Sequence, residues 1–541
     1  MPTIAVKPIF MTTANLSTLA ICILLVTPTY SQTKSRKVDV QWGPEFKTSK
    51  NSFQESAVLL DETGLYNLVL ETQMMGLSST RYMQKFSPDL ALEKTVPQNF
   101  TTMGSYAELE EMISLKEKIY VFTSRKSKSE GKYSLFVDEL DKSTLKPKGM
   151  PETLAQVDYK QGILGARTGS FQYRTSNDDS KLLVYIDQPY EPGEAEKFGF
   201  RVYDQEMRPV WSQDVALPYT DDNFSVTRVR LGNNGKAYVL GRVYKDGTGG
   251  IFKNMDYRIS ILEYDGKSDE PKEYKIDLEG KNINEIQMTV ADNGDLMCAG
   301  FYSEFGSTSS SIGGSFYIRT EGATGEVKSM RTKKFTSEFM KKGMRERAGK
   351  RLDKKMARGK NIEMNQYDLR EIVRRDDGGV ILVAERYYVV VTTTTDANGN
   401  TSRTYTYHYE DIIVVNIDPN GEIEWSQKIP KNQITKNDNG FYSSYALKVM
   451  GDKLFFIFYD NPKNLAYQSG EPASFRGKIN RSLLMLVEVD KVGNVEREPL
   501  LGEGDSELFM RPKLMRVMSS NEMLMYARRK KKNQLAKVVF K

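Results

Sequence analysis

Few residues in this chain have types and spacing suited to covalent or metal chemistry. His408 is the only histidine, and Cys22 and Cys298 are the only cysteines in 541 residues. A Ser-His-Asp hydrolase would have to recruit His408, yet no nucleophile-elbow frame stands ready to pair with it. Cys298 sits in GDLMCAGFY, an apolar strand pattern, and reads as a small buried hydrophobe. One histidine cannot build a multi-histidine metal site. The turns DETG, DNG and DDGG lack the oxygen-ligand spacing of a calcium loop. The adjacent acids Asp221/Asp222 and Asp376/Asp377 would make a carboxylate pair only if folding brought them to one pocket. No catalytic, metal-binding or cofactor-binding residue is expected from these patterns.

The same acid-glycine turns have a structural use. Each joins two apolar runs, as in AVLLDETGLYNLVLE from Ala57, TRVRLGNNGKAYVLGRVY from Thr227, QMTVADNGDLMCAGFY from Gln287 and REIVRRDDGGVILVAERY from Arg370. Glycine and asparagine there supply the positive-φ positions of tight hairpins. Four further copies begin at Met112, Tyr173, Ala446 and Leu514, and a second polar crossing follows most of them. Two hairpins per unit make a four-stranded antiparallel sheet, and eight units predict an all-β fold, a single eight-bladed β-propeller over 37–541. Seven blades remain open if one unit is fused, and two smaller propellers or paired sandwiches are further alternatives.

The last unit has three evident strands, ending in QLAKVVF, while KVDVQW at 37–42 is a spare strand near the other end. Pairing the two closes the ring without an exposed edge. The tripeptide WSQ, with Trp211 and again with Trp425, marks equivalent outer strands packing between blades, its serine and glutamine turned to loops or solvent.

Two excursions break the repeat. RTKKFTSEFMKKGMRERAGKRLDKKMARGK, 331–360, carries a local charge of +10 in a chain of net +6, leaving the remainder at −4. Phe335, Phe339, Leu352 and Met356 recur at helical spacing, so the segment predicts an amphipathic basic helix interrupted at Gly343 or Gly349. Its candidate contact residues are Lys341, Lys342, Arg345, Arg351, Lys354 and Lys355, suited to an acidic protein surface, an anionic lipid or an envelope glycan. The second excursion, 387–415, holds the turn DANGN between long β-branched and aromatic runs and predicts a projecting hairpin. Tyr405, Tyr407 and Tyr409 alternate onto one face of it, as candidate partner-binding residues, with Thr404, Thr406 and His408 on the other.

The N-terminus reads as an export signal over 1–31. Leu19–Val26 is too short to span a bilayer, and Lys7 precedes it. Export predicts a periplasmic protein, peripherally associated with the outer membrane, and removes nucleic acid from the expected partners. The repeated turn-strand pattern resembles β-propellers broadly, and the signal ending TYSQ is similar to those of exported Bacteroidota proteins. In size and architecture over 37–541 the chain resembles the periplasmic plug component of the type IX secretion translocon. That resemblance implies a non-enzymatic scaffold that binds an envelope or outer-membrane protein. A glycan or peptide receptor, or a carboxylate-based hydrolase or lyase in a propeller pocket, is the alternative.

Overall fold

The computed structural model describes residues 35–541 apart from 74–77, 103, 163–164, 190–192, 221, 245–256, 305–310, 361, 376 and 502–507. The segment read as an export signal, 1–31, lies outside the described residues, as do Asp221 and Asp376. The chain is a β-propeller. Eight antiparallel sheets of at least four strands succeed one another along the described residues. We number them as blades: 52–98, 108–162, 170–220, 224–276, 281–334, 367–429, 446–501, and a last one from 509–540. That last blade takes its fourth strand from the other end of the chain. Val38–Trp42 pairs antiparallel with Lys532–Phe540, Val38 opposite Phe540 and Trp42 opposite Ala536.

Each blade's middle strands are apolar on both sides, because each side faces a neighbouring blade. Leu296–Glu304 in blade 5 is buried along all but its last residue. Cys298 lies in it, and burial pushes its thiol up to about 12. The cores accordingly lie between sheets: Leu183, Phe198 and Phe200 of blade 3 pack with Val239, Leu262 and Tyr264 of blade 4. First strands of successive blades touch one another, so these strands face the ring interior.

This order gives the ring two unlike faces. Connections from first to second and from third to fourth strands fall on one face. With the exception of the longer link in blade 2, they are short, and glycines with positive φ recur in them, as at Gly235, Gly294 and Gly493. Connections from second to third strands and between blades fall on the other face, which holds both excursions.

Trp211 and Trp425 sit on the fourth strands of blades 3 and 6. The Trp211 ring covers Gly266 in the outer turn of blade 4, where a Cβ would lie 2.6 Å from it, and its Nε1 donates to the Gly235 carbonyl at 2.8 Å. Trp425 covers Gly493 of blade 7 and donates to the Lys491 carbonyl at 2.8 Å. Of the two expected settings, loops or solvent, the glutamines take the loops of the next blade. Gln213 donates to the Ser268 carbonyl at 2.9 Å and Gln427 to the Gly493 carbonyl at 2.5 Å, because two residues along a strand return to the same face. Other blades make the same clasp with other side chains: Lys94 reaches the Ser143 carbonyl at 2.8 Å, Lys272 that of Ala323 at 2.6 Å, and Ser329 that of Asn420 at 3.0 Å.

Candidate functional site between the basic helices and the long hairpin

The two excursions meet on the loop-rich face of blade 6. Within the basic segment, Arg331–Lys334 continue a strand, Val327–Lys334 of blade 5, so helix occupies less than the whole stretch. Two helices follow, α1 (Ser337–Lys341) and α2 (Glu346–Ala357). Thr336 caps α1, its hydroxyl accepting from the Phe339 N–H at 3.2 Å. The break falls at Gly343, whose φ of 84° a side chain would resist, whereas Gly349 lies inside α2 and is buried. Phe335, Met340 and Leu352 are buried against blades 5 and 6.

That packing divides the six candidate cations. Lys341 pairs with Asp353 at 2.9 Å within the helical segment. Lys342 is half-buried and donates to Gln427 Oε1 at 2.5 Å, and burial drives its ammonium below the usual lysine range. Arg345 pairs with Glu471 from the loop-rich face of blade 7. Those three brace the insert. Arg351, Lys354 and Lys355 are exposed along α2, and no ion pair reaches them among the described residues.

The hairpin is built by the middle strands of blade 6, Val380–Thr395 and Thr401–Ile417. At its tip the Asp396 carboxylate accepts from the N–H groups of Asn398 and Asn400, each at 2.9 Å, and Gly399 takes φ 83°. A short strand, Gln433–Lys436, covers one edge by pairing with Thr406–Tyr409. The other edge differs. The blade's first strand pairs with the hairpin only as far as Arg386, and 388–395 has no strand beside it among the described residues. Val389, Val390 and Val391 are 36–50% exposed there.

The three tyrosines do not form an open strip. Tyr405 is exposed, but the Tyr407 hydroxyl donates to Asn439 Oδ1 at 2.6 Å. Tyr409 is buried, its ring 4.6 Å from Tyr387, with the Lys513 ammonium donating to its hydroxyl at 2.8 Å. The loop before blade 7 folds over the hairpin base, a tertiary contact that strand alternation cannot foresee. His408 stacks on Tyr388 with ring centroids 4.3 Å apart, its Nδ1 3.4 Å from the Glu410 carboxylate.

Between the helices and the hairpin base lies a cavity of about 410 Å³, lined by Met344, Leu352, Tyr367, Asp411, Lys428 and Asn432 among others. Its walls are charged and paired. Arg386 donates to Glu410 at 2.7 Å, and Tyr388 donates to the same carboxylate at 2.8 Å. Lys428 donates to the Met340 carbonyl at 3.0 Å and lies 3.7 Å from Asp411. Burial pushes the Asp411 carboxyl up, against the pull of Lys428. Behind them Lys431 and Glu385, both fully buried, pair at 2.8 Å. Asn432 Oδ1 is buried without a hydrogen-bond partner in the same wall. The network fixes the insert to the blade. Sequence reasoning missed these buried charges, since Lys428, Lys431 and Glu385 carry no motif.

No protein-family model matches the chain, and a search of curated proteins finds no match. Among solved structures, the chain is similar to the WD40 domain of SCAP from fission yeast, at 9% identity and a TM-score of 0.40, over 93% of this chain and 94% of that one. It is similar to the β-propeller domain of the Trilobed protease from Pyrococcus furiosus at 10% identity and a TM-score of 0.35, over 85% and 98%. A protein of unknown function from Bacteroides caccae is similar at 11% identity and a TM-score of 0.25, over 69% and 92%.

Proposed function

We propose that this chain is a non-enzymatic, exported protein-binding scaffold of the cell envelope, and that its loop-rich face holds an extended segment of an outer-membrane or periplasmic partner. The open hairpin edge carries the proposal. Tyr387 donates its backbone N–H toward that side, to the Gln366 carbonyl at 2.9 Å. Period-two alternation turns the N–H groups of Val389, Val391 and Thr393 the same way. An extended peptide added there gains main-chain hydrogen bonds from the edge and apolar contact from the valines. The unpaired cations of α2 on the same face favour an acidic stretch in that partner. The short apolar run Leu19–Val26 after Lys7 supports export.

The test is site-specific photo-crosslinking in cells, with the crosslinker at Val391 and, as control, at Tyr106, which is 74% exposed in the link between blades 1 and 2. A discrete protein adduct at 391 and none at 106 is expected. Val391→Pro removes the outward N–H while sparing the bonds within the hairpin, so it should abolish the adduct with little change in melting. Replacing Arg351, Lys354 and Lys355 by Glu should weaken the complex in the same direction as added salt. A native complex indifferent to both variants rejects this docking mode.

A further inference from the structure

We infer that the ring interior holds an anion site, built by Arg174, Arg228 and Arg230 on the first strands of blades 3 and 4 and suited to a tetrahedral oxyanion such as phosphate, free or as a terminal monoester. Ser170–Thr175 and Phe224–Leu231 are those strands. Arg228 and Arg230 alternate around Val229, whose side chain is buried in the core between blades 3 and 4, so both arginines leave the strand on its opposite side, from which Arg230 reaches Gln287 and Met288 of blade 5. Arg174 joins them across the blade boundary. Its Nε donates to the Val229 carbonyl at 3.3 Å, and Arg230 donates an Nη1 hydrogen to the same oxygen at 3.4 Å. Two guanidiniums thus meet at one neutral carbonyl, with the third one residue away along the strand.

Among the described residues no carboxylate forms an ion pair with these three guanidiniums. Arg174 otherwise donates to Gln172 Oε1 at 3.0 Å and the Tyr173 carbonyl at 2.6 Å. Arg230 donates to Gln287 Oε1 at 3.3 Å and the Met288 carbonyl at 3.4 Å. All of these acceptors are uncharged. The Arg228 side chain makes no hydrogen bond or ion pair among the described residues, and its Nε is buried. Burial, followed by mutual repulsion, drives the Arg174 and Arg230 guanidiniums down. Glu285, on the first strand of blade 5, is an acid within electrostatic reach of Arg228. It forms no ion pair with Arg228, and burial pushes its own carboxyl up against the pull of Arg242 and Arg228. Buried cations in proteins are ordinarily paired. Planar guanidiniums at short spacing bind oxyanions through forked hydrogen bonds, which lysine cannot copy.

Arg174 and Arg230 also clasp neighbouring blades, so Arg228, which clasps nothing, is the residue to test. Binding is measured by calorimetry with inorganic phosphate and with glucose 6-phosphate, against chloride at matched ionic strength, on the full chain and on Arg228→Gln. A variant with Arg351, Lys354 and Lys355 changed to Glu reports on the basic helices. The expected result is saturable binding to the wild type, weakened at least about tenfold by Arg228→Gln and unchanged by the helix variant. Arg228→Gln should still fold in chloride, since the substitution removes no side-chain hydrogen bond or ion pair. Binding of both anions assigns the site to the free ion, and binding of glucose 6-phosphate alone assigns it to an ester. Absence of binding to either, full retention in Arg228→Gln, loss in the helix variant, or unfolding of Arg228→Gln in chloride overturns the site.

Discussion

The two faces of the ring are made by one chain under different rules. On the tight-turn face the repeat constrains nearly every connection: a residue with positive φ, most often glycine, makes the turn, and a fourth-strand side chain clasps the next blade. On the loop-rich face the repeat imposes no length, and the chain there adds two helices, a hairpin with strands of 16 and 17 residues, and 3₁₀ turns at Pro462–Ala466 and Ile479–Arg481. The difference teaches where to look for function. Residues repeated from blade to blade, WSQ included, are explained by holding blades together. Charges gathered once, under the helices of blade 6, are not required by the repeat.

The largest way to break the comparison is to open the ring itself. Deleting Lys37–Trp42 removes a strand of five residues and exposes the edge of Lys532–Phe540. At about 1 kcal/mol per ladder bond the loss is roughly 5 kcal/mol, and it should be felt equally on both faces. Hydrogen exchange checks it: protection should fall across 522–540 first, and unchanged protection there would contradict closure by this strand.

A smaller perturbation should separate the faces. Glu385→Ala leaves Lys431 buried without its charge partner, at a cost of about 3–5 kcal/mol, whereas Glu385→Leu with Lys431→Met should recover most of it. Thermal unfolding of the three chains measures this, and a double variant no better than the single one would mean that the pair acts through Ser444 and Gln433.

One aspartate on each face responds to acidity with the opposite sign. Asp460, buried beside Arg497 on the loop-rich face, is pushed up to about 6 by burial, with Arg497 pulling it back. Its folded form holds a proton that the unfolded chain releases near 3.8, so its stability is greatest below pH 4 and falls as pH rises to 6. That loss is about 3 kcal/mol, from about 1.4 kcal/mol per pH unit. Asp178, in a tight turn, runs the other way: burial opposes its ionisation, but Ser176 and Ser180 hold it down to about 2, so its contribution is lost as pH falls from 4 toward 2. The difference in unfolding free energy between Asp460→Asn and wild type, followed from pH 4 to 7, should shift by about 3 kcal/mol in favour of the variant. A flat difference would place the Asp460 carboxyl in the ordinary range.

The legible part of this molecule was the part under repeat constraint. Turn chemistry at Asn234–Gly235 and Asn293–Gly294 and the apolar runs around them announce sheets, because hairpin twist and blade packing act within about 20 residues. The hairpin and basic helices were visible as departures from that frame. Which of their residues are available was not. Tyr409 has the same strand parity as Tyr405 yet is buried, and Lys342 has the same charge as Lys354 yet is tied to Gln427. Both fates depend on the loop before blade 7 and on the fourth strand of blade 6, far away in sequence or on another element. The arginines at 174, 228 and 230 are likewise unremarkable until two blades bring them to one carbonyl.

The finest test concerns the clasp. If WSQ is a structural joint, Trp211→Ala and Trp425→Ala should each cost about 2 kcal/mol, a half-buried indole with one lost hydrogen bond, and should leave the proposed docking face intact. Lys94→Ala, at the equivalent joint between blades 1 and 2, should cost under about 1 kcal/mol, because a solvated ammonium loses little when a carbonyl partner goes. The two tryptophan effects should add within about 0.5 kcal/mol, since the residues serve different blade pairs. Chemical unfolding of the single and double variants measures both quantities. Trp425 carries the sharper contrast, because Gln427, two residues on, links its clasp on the tight-turn side to Lys342 of the basic insert. Photo-crosslinking at 391 in Trp425→Ala that falls while Trp211→Ala leaves it unchanged would show that the two faces are coupled through this one strand, and equal crosslinking in both would show that each face stands on its own joints.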